Sequence, residues 1–282
     1  MTDAPRAFVI GQPIAHTRSP LIHRHWLREY GIAGSYEAVE VAPSGLAAFV
    51  EKVRAGAYVG GNVTVPHKEA MFRLMAGGAD DTAAAVGAVN TLYRAADGGL
   101  AAMNTDIAGF LANLDAGAPG WDRGGGAAVL LGAGGAARGI AYALGTRGVS
   151  VHLVNRSRDK AEAIAARLGS GATAHGSDSL PSLLDGASLL VNATSLGMAG
   201  KPPLEIDLAP LPRMAVVNDI VYAPLETALL AAARARGNPV VDGLGMLLHQ
   251  AVPGFAHWFG VTPEVTPALR RVVLADLAEA KR

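Results

Sequence analysis

The stretch Ala127-Ala128-Val129-Leu130-Leu131-Gly132-Ala133-Gly134-Gly135-Ala136-Ala137-Arg138 decides the fold. An apolar run breaks at glycine and continues into an Ala-rich, helix-forming segment. Gly132 permits a tight turn out of a strand, and Gly134 lets backbone come close to a pyrophosphate. Ala137 stands where a small residue allows close helix–strand packing. The new helix offers unpaired N–H groups and a positive dipole end to an anion. The segment Gly132, Ala133, Gly134, Gly135 and Ala136 therefore reads as a dinucleotide cradle, against the alternative of a purely structural turn.

The next apolar run ends Val154-Asn155-Arg156-Ser157, followed by Arg158 and Lys160. An NAD site presents Asp or Glu about 20 residues beyond the first glycine, to hold the ribose hydroxyls. Here the position is taken by Asn155 and Arg156. A carboxylate repels a 2′-phosphate, whereas a guanidinium pairs with it through two parallel donors. This favours NADP, with Arg156 as main ligand and Ser157 and Lys160 as supports; the alternative is a solvated basic loop.

Outward from this segment, short β-like runs alternate with helical ones. Strands are expected at Ala7–Ile10, Ser35–Val41, Tyr58–Val63, Ala127–Leu131, Ser150–Val154, Leu189–Asn192, Ala215–Asp219 and Pro239–Asp242. Helices are expected at Ser19–Tyr30, Gly45–Ala55, Gly135–Arg147, Lys160–Leu168, Leu225–Arg236 and Pro267–Ala280. Such alternation predicts an α/β fold with parallel sheets covered by helices. The two halves carry different motifs, which predicts two domains, and the Gly-rich stretch Gly117–Gly126 reads as a joint between them.

Composition narrows the partners. Of 282 residues, 50% are hydrophobic and 17% charged, enough for a sizeable core. Lys plus Arg equals Asp plus Glu at 24 each, so nothing draws the chain generally to nucleic acid or an anionic membrane. With no cysteine, disulfides, thiolate nucleophiles and cysteine-ligated zinc are excluded. Met1 to Arg6 lacks the apolar stretch of a signal peptide, and no run is long enough to span a membrane. A cytoplasmic location is the expectation.

Before residue 110, polar residues cluster at strand ends. Thr17-Arg18-Ser19-Pro20 supplies two hydroxyls where Pro20 begins a helix. Capping needs only one, and two hydroxyls at a helix start suit a carboxylate ligand. Asn62-Val63-Thr64-Val65-Pro66-His67-Lys68 follows a strand, and Gly87-Ala88-Val89-Asn90-Thr91 leads through a hairpin-like stretch at Ala96–Gly99 to Asn104-Thr105-Asp106. Taken singly, each of these is an ordinary loop residue. Together they offer amide, hydroxyl, ammonium and carboxylate groups to a polyhydroxylated acid. His16, His23, His67 and His249 match no zinc spacing and read as capping, packing or rim residues, with no metal.

These segments resemble the successive signatures of the shikimate dehydrogenase family. So do Gly132–Ala136, Asn155-Arg156-Ser157, Asn192-Ala193-Thr194-Ser195-Leu196-Gly197, Asp219-Ile220-Val221-Tyr222-Ala223-Pro224 and Gly243-Leu244-Gly245-Met246-Leu247-Leu248-His249-Gln250-Ala251. The resemblance spans nearly the whole chain, in order. It implies an N-terminal open α/β substrate domain (1–106 plus 245–282) and a Rossmann-type NADP-binding domain (107–244). The implied reaction is reversible NADP-dependent reduction of 3-dehydroshikimate to shikimate, on the route to chorismate and aromatic amino acids. By the resemblance, the carboxylate meets Thr17, Ser19 and Tyr222, and the ring hydroxyls meet Thr64, Lys68, Asn90, Asp106 and Gln250. Lys68 and Asp106 form the catalytic pair. Thr194, Ile220 and Gly243 lie by the nicotinamide half of the cofactor, and Asp81 near the cofactor. The implied state is monomer or homodimer. Two departures stand out: Thr17 replaces a usual serine, and Lys160 a frequent arginine. Thr17 keeps the hydroxyl but adds a methyl, which leaves open a quinate/shikimate dehydrogenase of broader specificity. A non-catalytic shikimate/NADP-binding homologue is the other alternative, opposed by intact Lys68 and Asp106.

Overall fold

The computed structural model describes residues 4–279. The readings that fall on Met1–Asp3 and on Ala280 lie outside them. The chain forms two compact units, one holding the residues up to Thr105 and again from Gln250, the other Asp106–His249.

The first unit is built on a five-stranded sheet of β1 (Arg6–Gly11), β2 (Ser35–Glu40), β3 (Gly60–Val63), β4 (Thr91–Arg94) and β5 (Leu100–Met103), in the order β2-β1-β3-β4-β5. β1 pairs in parallel with both neighbours, and its uninterrupted apolar run reflects burial on both faces. Phe8 and Ile10 face one core with Val50, Val53, Val63 and Met71, while Ala7 and Val9 face another with Ile14, Tyr36 and Trp258. β4 and β5 run antiparallel, joined by a turn in which Gly98 adopts φ +83°. The parallel arrangement gives way here, with the turn in the stretch Ala96–Gly99 that the sequence shows as hairpin-like. A parallel return needs a crossover of a dozen or more residues, and the five between β4 and β5 suffice only for a hairpin.

The second unit carries β6 (Ala128–Leu131), β7 (Val151–Val154), β8 (Ala172–His175), β9 (Leu189–Asn192), β10 (Val216–Asp219) and β11 (Val240–Val241), all parallel, in the order β11-β10-β9-β6-β7-β8. This is the doubly wound dinucleotide-binding order, reversing between β6 and β9. The fold class read from the sequence, α/β with a Rossmann-type sheet, is the one present. β8 was missed because Ala172-Thr173-Ala174-His175 has little apolar character and sits at a sheet edge.

Gly117–Gly126 is not the joint. It lies inside the second unit, after the helix Asp106–Gly117. That helix packs on Gly135–Thr146 and on Leu244–His249, so Asp106 and Gly245–His249 fall in the second unit. The close fit is local: a Cβ on Gly245 would sit 1.8 Å from Asn113 Oδ1. Among the described residues no helix is long and apolar enough to cross a membrane.

One buried group makes the first unit sensitive to acid. His23 is fully buried, stacked on Tyr36 with ring centroids 4.0 Å apart, and near Trp26, Phe255 and Trp258. Burial lowers its pKa to about 3, opposed in part by the Asn62 side chain. The unfolded chain titrates this imidazole near its ordinary value, so between about pH 6.5 and 3 the unfolded state binds the extra proton. Stability from this group is complete above that window and falls as pH drops through it. Denaturant titrations of the wild type and His23→Phe should diverge below pH 6.5 by up to about 1.4 kcal/mol per pH unit in the variant's favour. Parallel pH profiles would refute this assignment.

Candidate active site

In the first unit, the helix Ser19–Glu29 starts with Pro20 in its first turn and no side-chain cap. Thr17 Oγ1 instead donates to Ser19 Oγ at 3.3 Å and accepts the Ser19 N–H at 3.4 Å. The two hydroxyls therefore face each other beside a helix start and are not consumed as caps. Ser19 is 8% exposed and Thr17 half-buried.

Asn90 ends the loop before β4 and is only 2% exposed. Its Oδ1 accepts the Thr105 N–H at 2.8 Å and the Thr91 hydroxyl at 3.0 Å, and its Nδ2 donates to Thr105 Oγ1 at 3.0 Å. Behind it, Asn62 Nδ2 donates to Thr91 Oγ1 at 3.1 Å, and Tyr36 Oη donates to Asn62 Oδ1 at 2.5 Å. Burial pushes the Tyr36 hydroxyl well above the usual phenol range. The sequence marks Asn62 and Thr91 as polar strand-end residues but gives no sign of Tyr36, whose hydroxyl reaches this network only through the fold. The network holds Asn90 in one orientation, because buried polar groups left without partners cost about 1–3 kcal/mol each.

Thr64 follows β3, its N–H bonded to Ile10 O at 2.9 Å, and Lys68 opens the helix Lys68–Leu74. The Lys68 carbonyl accepts the Val89 N–H at 2.9 Å, tying the lysine backbone to the segment that carries Asn90. His67 Nε2 lies 2.7 Å from Val41 O, a structural bond. Gln250 precedes the helix Ala251–Phe259. Asp81 is exposed in the first turn of Asp81–Val86, while its neighbour Asp80 does the capping, accepting the Ala83 N–H at 2.9 Å.

In the second unit, the sheet-order reversal falls beside Gly132. This glycine has φ +109°, and a Cβ on it would approach Ala193 O to 3.0 Å, so the fold itself requires glycine there. Gly134 and Gly135 differ: a Cβ on either would meet nothing within 4 Å. Gly134 precedes the helix Gly135–Thr146 with no side-chain cap, and Gly134, Gly135 and Ala136 are exposed while Ala137 is fully buried. Open space over uncapped N–H groups fits a ligand's phosphates at the position where open parallel sheets bind them.

At the end of β7, Asn155 Nδ2 donates to Ser157 O at 2.9 Å, shaping the loop. Arg158 is paired with Glu162 at 2.9 Å, whereas Arg156 is exposed and forms no ion pair among the described residues. Lys160 is exposed in the first turn of Arg158–Leu168. These side chains fit an additional phosphate beside the cradle.

Thr194, Ile220 and Gly243 come together at the ends of β9, β10 and β11. Thr194 Oγ1 donates to Asn192 Oδ1 at 2.7 Å, and the Ile220 N–H donates to Asn192 O at 3.1 Å. A Cβ on Gly243 would lie 2.2 Å from Ile220 O, so backbone passes against backbone there. Tyr222 follows, half-buried. Asp106 opens the helix Asp106–Gly117.

A glycine turn at the reversal of a doubly wound sheet, with a basic strand end beyond it, defines a dinucleotide-binding α/β protein, here joined to a second α/β unit. Three family models match: the shikimate dehydrogenase substrate binding domain over residues 9–92, shikimate / quinate 5-dehydrogenase over 122–199, and the shikimate 5′-dehydrogenase C-terminal domain over 243–274. The shikimate dehydrogenase (NADP(+)) of Methylocella silvestris is 58% identical over 277 residues, 98% of each chain. Among solved structures, the quinate dehydrogenase of Corynebacterium glutamicum in complex with NAD superposes with TM-score 0.88 at 30% identity, covering 96% of this chain and 99% of that one. The shikimate 5-dehydrogenase of Thermus thermophilus in complex with NADP(H) and shikimate gives 0.83 at 36%, covering 95% and 99%. The chain belongs to the shikimate dehydrogenase family.

The two kinds of glycine separate experimentally. Gly134→Ala places a methyl in open space at an ordinary φ of −89°. Stability should stay within about 0.5 kcal/mol of wild type. Affinity for NADP(H) should fall about tenfold or more, because the methyl stands where phosphate must approach. Calorimetric titration beside a thermal melt measures both; retained affinity would show the glycine to be incidental.

Proposed function

We propose that this chain is an NADP-dependent shikimate dehydrogenase, interconverting 3-dehydroshikimate and shikimate. The observation that carries the reading is full-length relatedness at 58% to an enzyme of that name, together with Asn155-Arg156 in place of an acidic strand end. When bound, NADPH supplies the hydride. The protein's own work is to hold the acid, orient the ketone and move one proton.

Thr17, Ser19 and Tyr222 bind the carboxylate through hydroxyl donors. Thr64, Asn90, Gln250, Lys68 and Asp106 fix the ring hydroxyls. As ammonium, Lys68 Nζ donates a proton to the carbonyl oxygen as negative charge develops there. Asp106 is the second member of the catalytic pair. In the reverse direction the same lysine takes the proton from the alcohol. Gly132, Ala133, Gly134, Gly135 and Ala136 cradle the pyrophosphate, and Arg156, with Ser157 and Lys160, pairs with the 2′-phosphate. Thr194, Ile220 and Gly243 border the nicotinamide half, and Asp81 stands on the cofactor side. The same reading places the enzyme in the cytoplasm, as monomer or homodimer, acting on a small molecule without nucleic acid or membrane.

A second reading, broader activity on quinate, is favoured by Thr17 and by the likeness to a quinate dehydrogenase. Initial rates on shikimate and on quinate, each with NADP and NAD, decide between them. Shikimate with NADP should give the highest kcat/KM; preference for quinate or NAD would overturn the primary reading.

Two variants test the residue roles. Lys68→Ala should lower kcat by about 100-fold or more while the substrate KM moves far less, since general acid–base groups contribute about 10²–10⁴. Arg156→Ala should raise KM for NADP by at least about tenfold and leave NAD use unchanged, the loss of one charge-assisted pair. A kcat unchanged in the first, or equal losses for both cofactors in the second, would remove those assignments.

A further inference from the structure

Asp219 ends β10 and is fully buried. Its Oδ1 accepts from Asn192 Nδ2 at 2.9 Å and from the Val221 N–H at 3.0 Å, and its Oδ2 accepts from the Thr227 hydroxyl at 2.7 Å. Burial pushes this carboxyl up, and the three donors partly offset that push. A buried carboxylate is a poor way to stabilise a core. Its particular capacity is to accept on two oxygens from several donors at once.

The three donors belong to three segments. Asn192 is the register partner of Asp219 at the end of β9. Its amide organises the following loop: Oδ1 accepts the Thr194 N–H at 3.0 Å and the Thr194 hydroxyl at 2.7 Å, while Nδ2 also donates to Leu196 O at 3.2 Å. Thr194 Oγ1 in turn accepts the Leu196 N–H at 3.1 Å. Val221 sits between Ile220 and Tyr222. Thr227 caps the helix Ala228–Arg236, accepting the Leu230 N–H at 3.3 Å. The carboxylate thus grips two loops and one helix end, and the helix end carries none of the residues assigned to cofactor and substrate.

We propose that Asp219 is a positioning residue, whose carboxylate fixes the loop 193–196 and the turn 220–222 against each other and so aligns the nicotinamide end of the cofactor site. The proposal rests on the cofactor reading above. Among the described residues, the adenosine end, at Gly132–Ala136 and Arg156, takes no hydrogen bond from this hub. Loss of Asp219 therefore separates the two ends of the cofactor.

The test uses the full-length enzyme and adenosine 2′,5′-bisphosphate, which carries the 2′-phosphate but no nicotinamide. Asp219→Ala should bind this probe within about twofold of wild type, while kcat falls by at least about tenfold, the effect of losing the two loop bonds among its three buried charge-assisted bonds. Asp219→Asn can keep an oxygen toward Asn192 and Val221, and should retain kcat within about threefold. Thr227→Val removes the helix cap and one bond but neither loop bond; its melting temperature should fall while kcat stays within about twofold. If the alanine variant fails to fold, Asp219→Ser, which leaves one acceptor, carries the same comparison. Parallel loss of probe binding and kcat in these variants, or a kcat loss in Thr227→Val equal to that of Asp219→Ala, means general scaffolding and overturns the proposal. Failure of the asparagine variant to preserve kcat overturns it too. Failure of the wild type to bind the probe sinks the cofactor reading itself, an outcome separate from the others.

Discussion

The second unit depends on one close approach. β6 and β9 lie side by side in parallel, and the chain must leave both at their carboxyl ends in the space of a few atoms. Gly132 makes this possible by turning at φ +109° where a side chain would press on Ala193 O. From that contact follow the start of Gly135–Thr146 and the open N–H groups above it. The loop after Asn192 is placed by it as well. A larger residue at Gly132 would displace both loops at once, so the glycine turn and the loop after Asn192 share a single steric origin.

The first unit solves a different problem. Its sheet turns antiparallel after β3, and the strand ends then bring several amides and hydroxyls into a water-poor interior. Tyr36, Asn62, Thr91, Asn90 and Thr105 satisfy one another there in a continuous chain of bonds. Such a network contributes little net stability, because each bond replaces one to water. What it supplies is orientation, since any member that rotates leaves a buried partner unpaired. Asn90 is held on three sides in this way, and the Lys68 backbone is bonded to the same segment through Val89.

Much of this was legible beforehand, and particular residues show why. The strand–glycine–helix signature at Leu131–Ala137 is local, so its reading needed no tertiary information. The basic strand end at Arg156 was likewise legible, because it is a matter of position relative to the glycines and of an acid being absent there. The turn at Ala96–Gly99 was legible as hairpin-like, whereas its flanking strand pair β4–β5 and the edge strand β8 were harder. Neither has strong periodicity, and both are strands because a neighbour offers hydrogen bonds. Gly117–Gly126 misled for the opposite reason: its composition is that of a linker, yet the preceding helix packs on Gly135–Thr146 and binds it into the second unit.

By itself, then, the sequence determined the α/β class, the strand–glycine–helix turn, the basic strand end and the family, because these are written in short-range spacing and in residue type. Only the tertiary structure decided which glycines the fold requires and which it leaves open to a ligand, since that turns on atoms sixty residues away. It alone revealed that the hydroxyls of Thr17 and Ser19 are not spent as helix caps. It also turned Asp219 from one letter in a motif into the point where three segments meet, for a buried carboxylate has meaning only through the donors that folding brings to it.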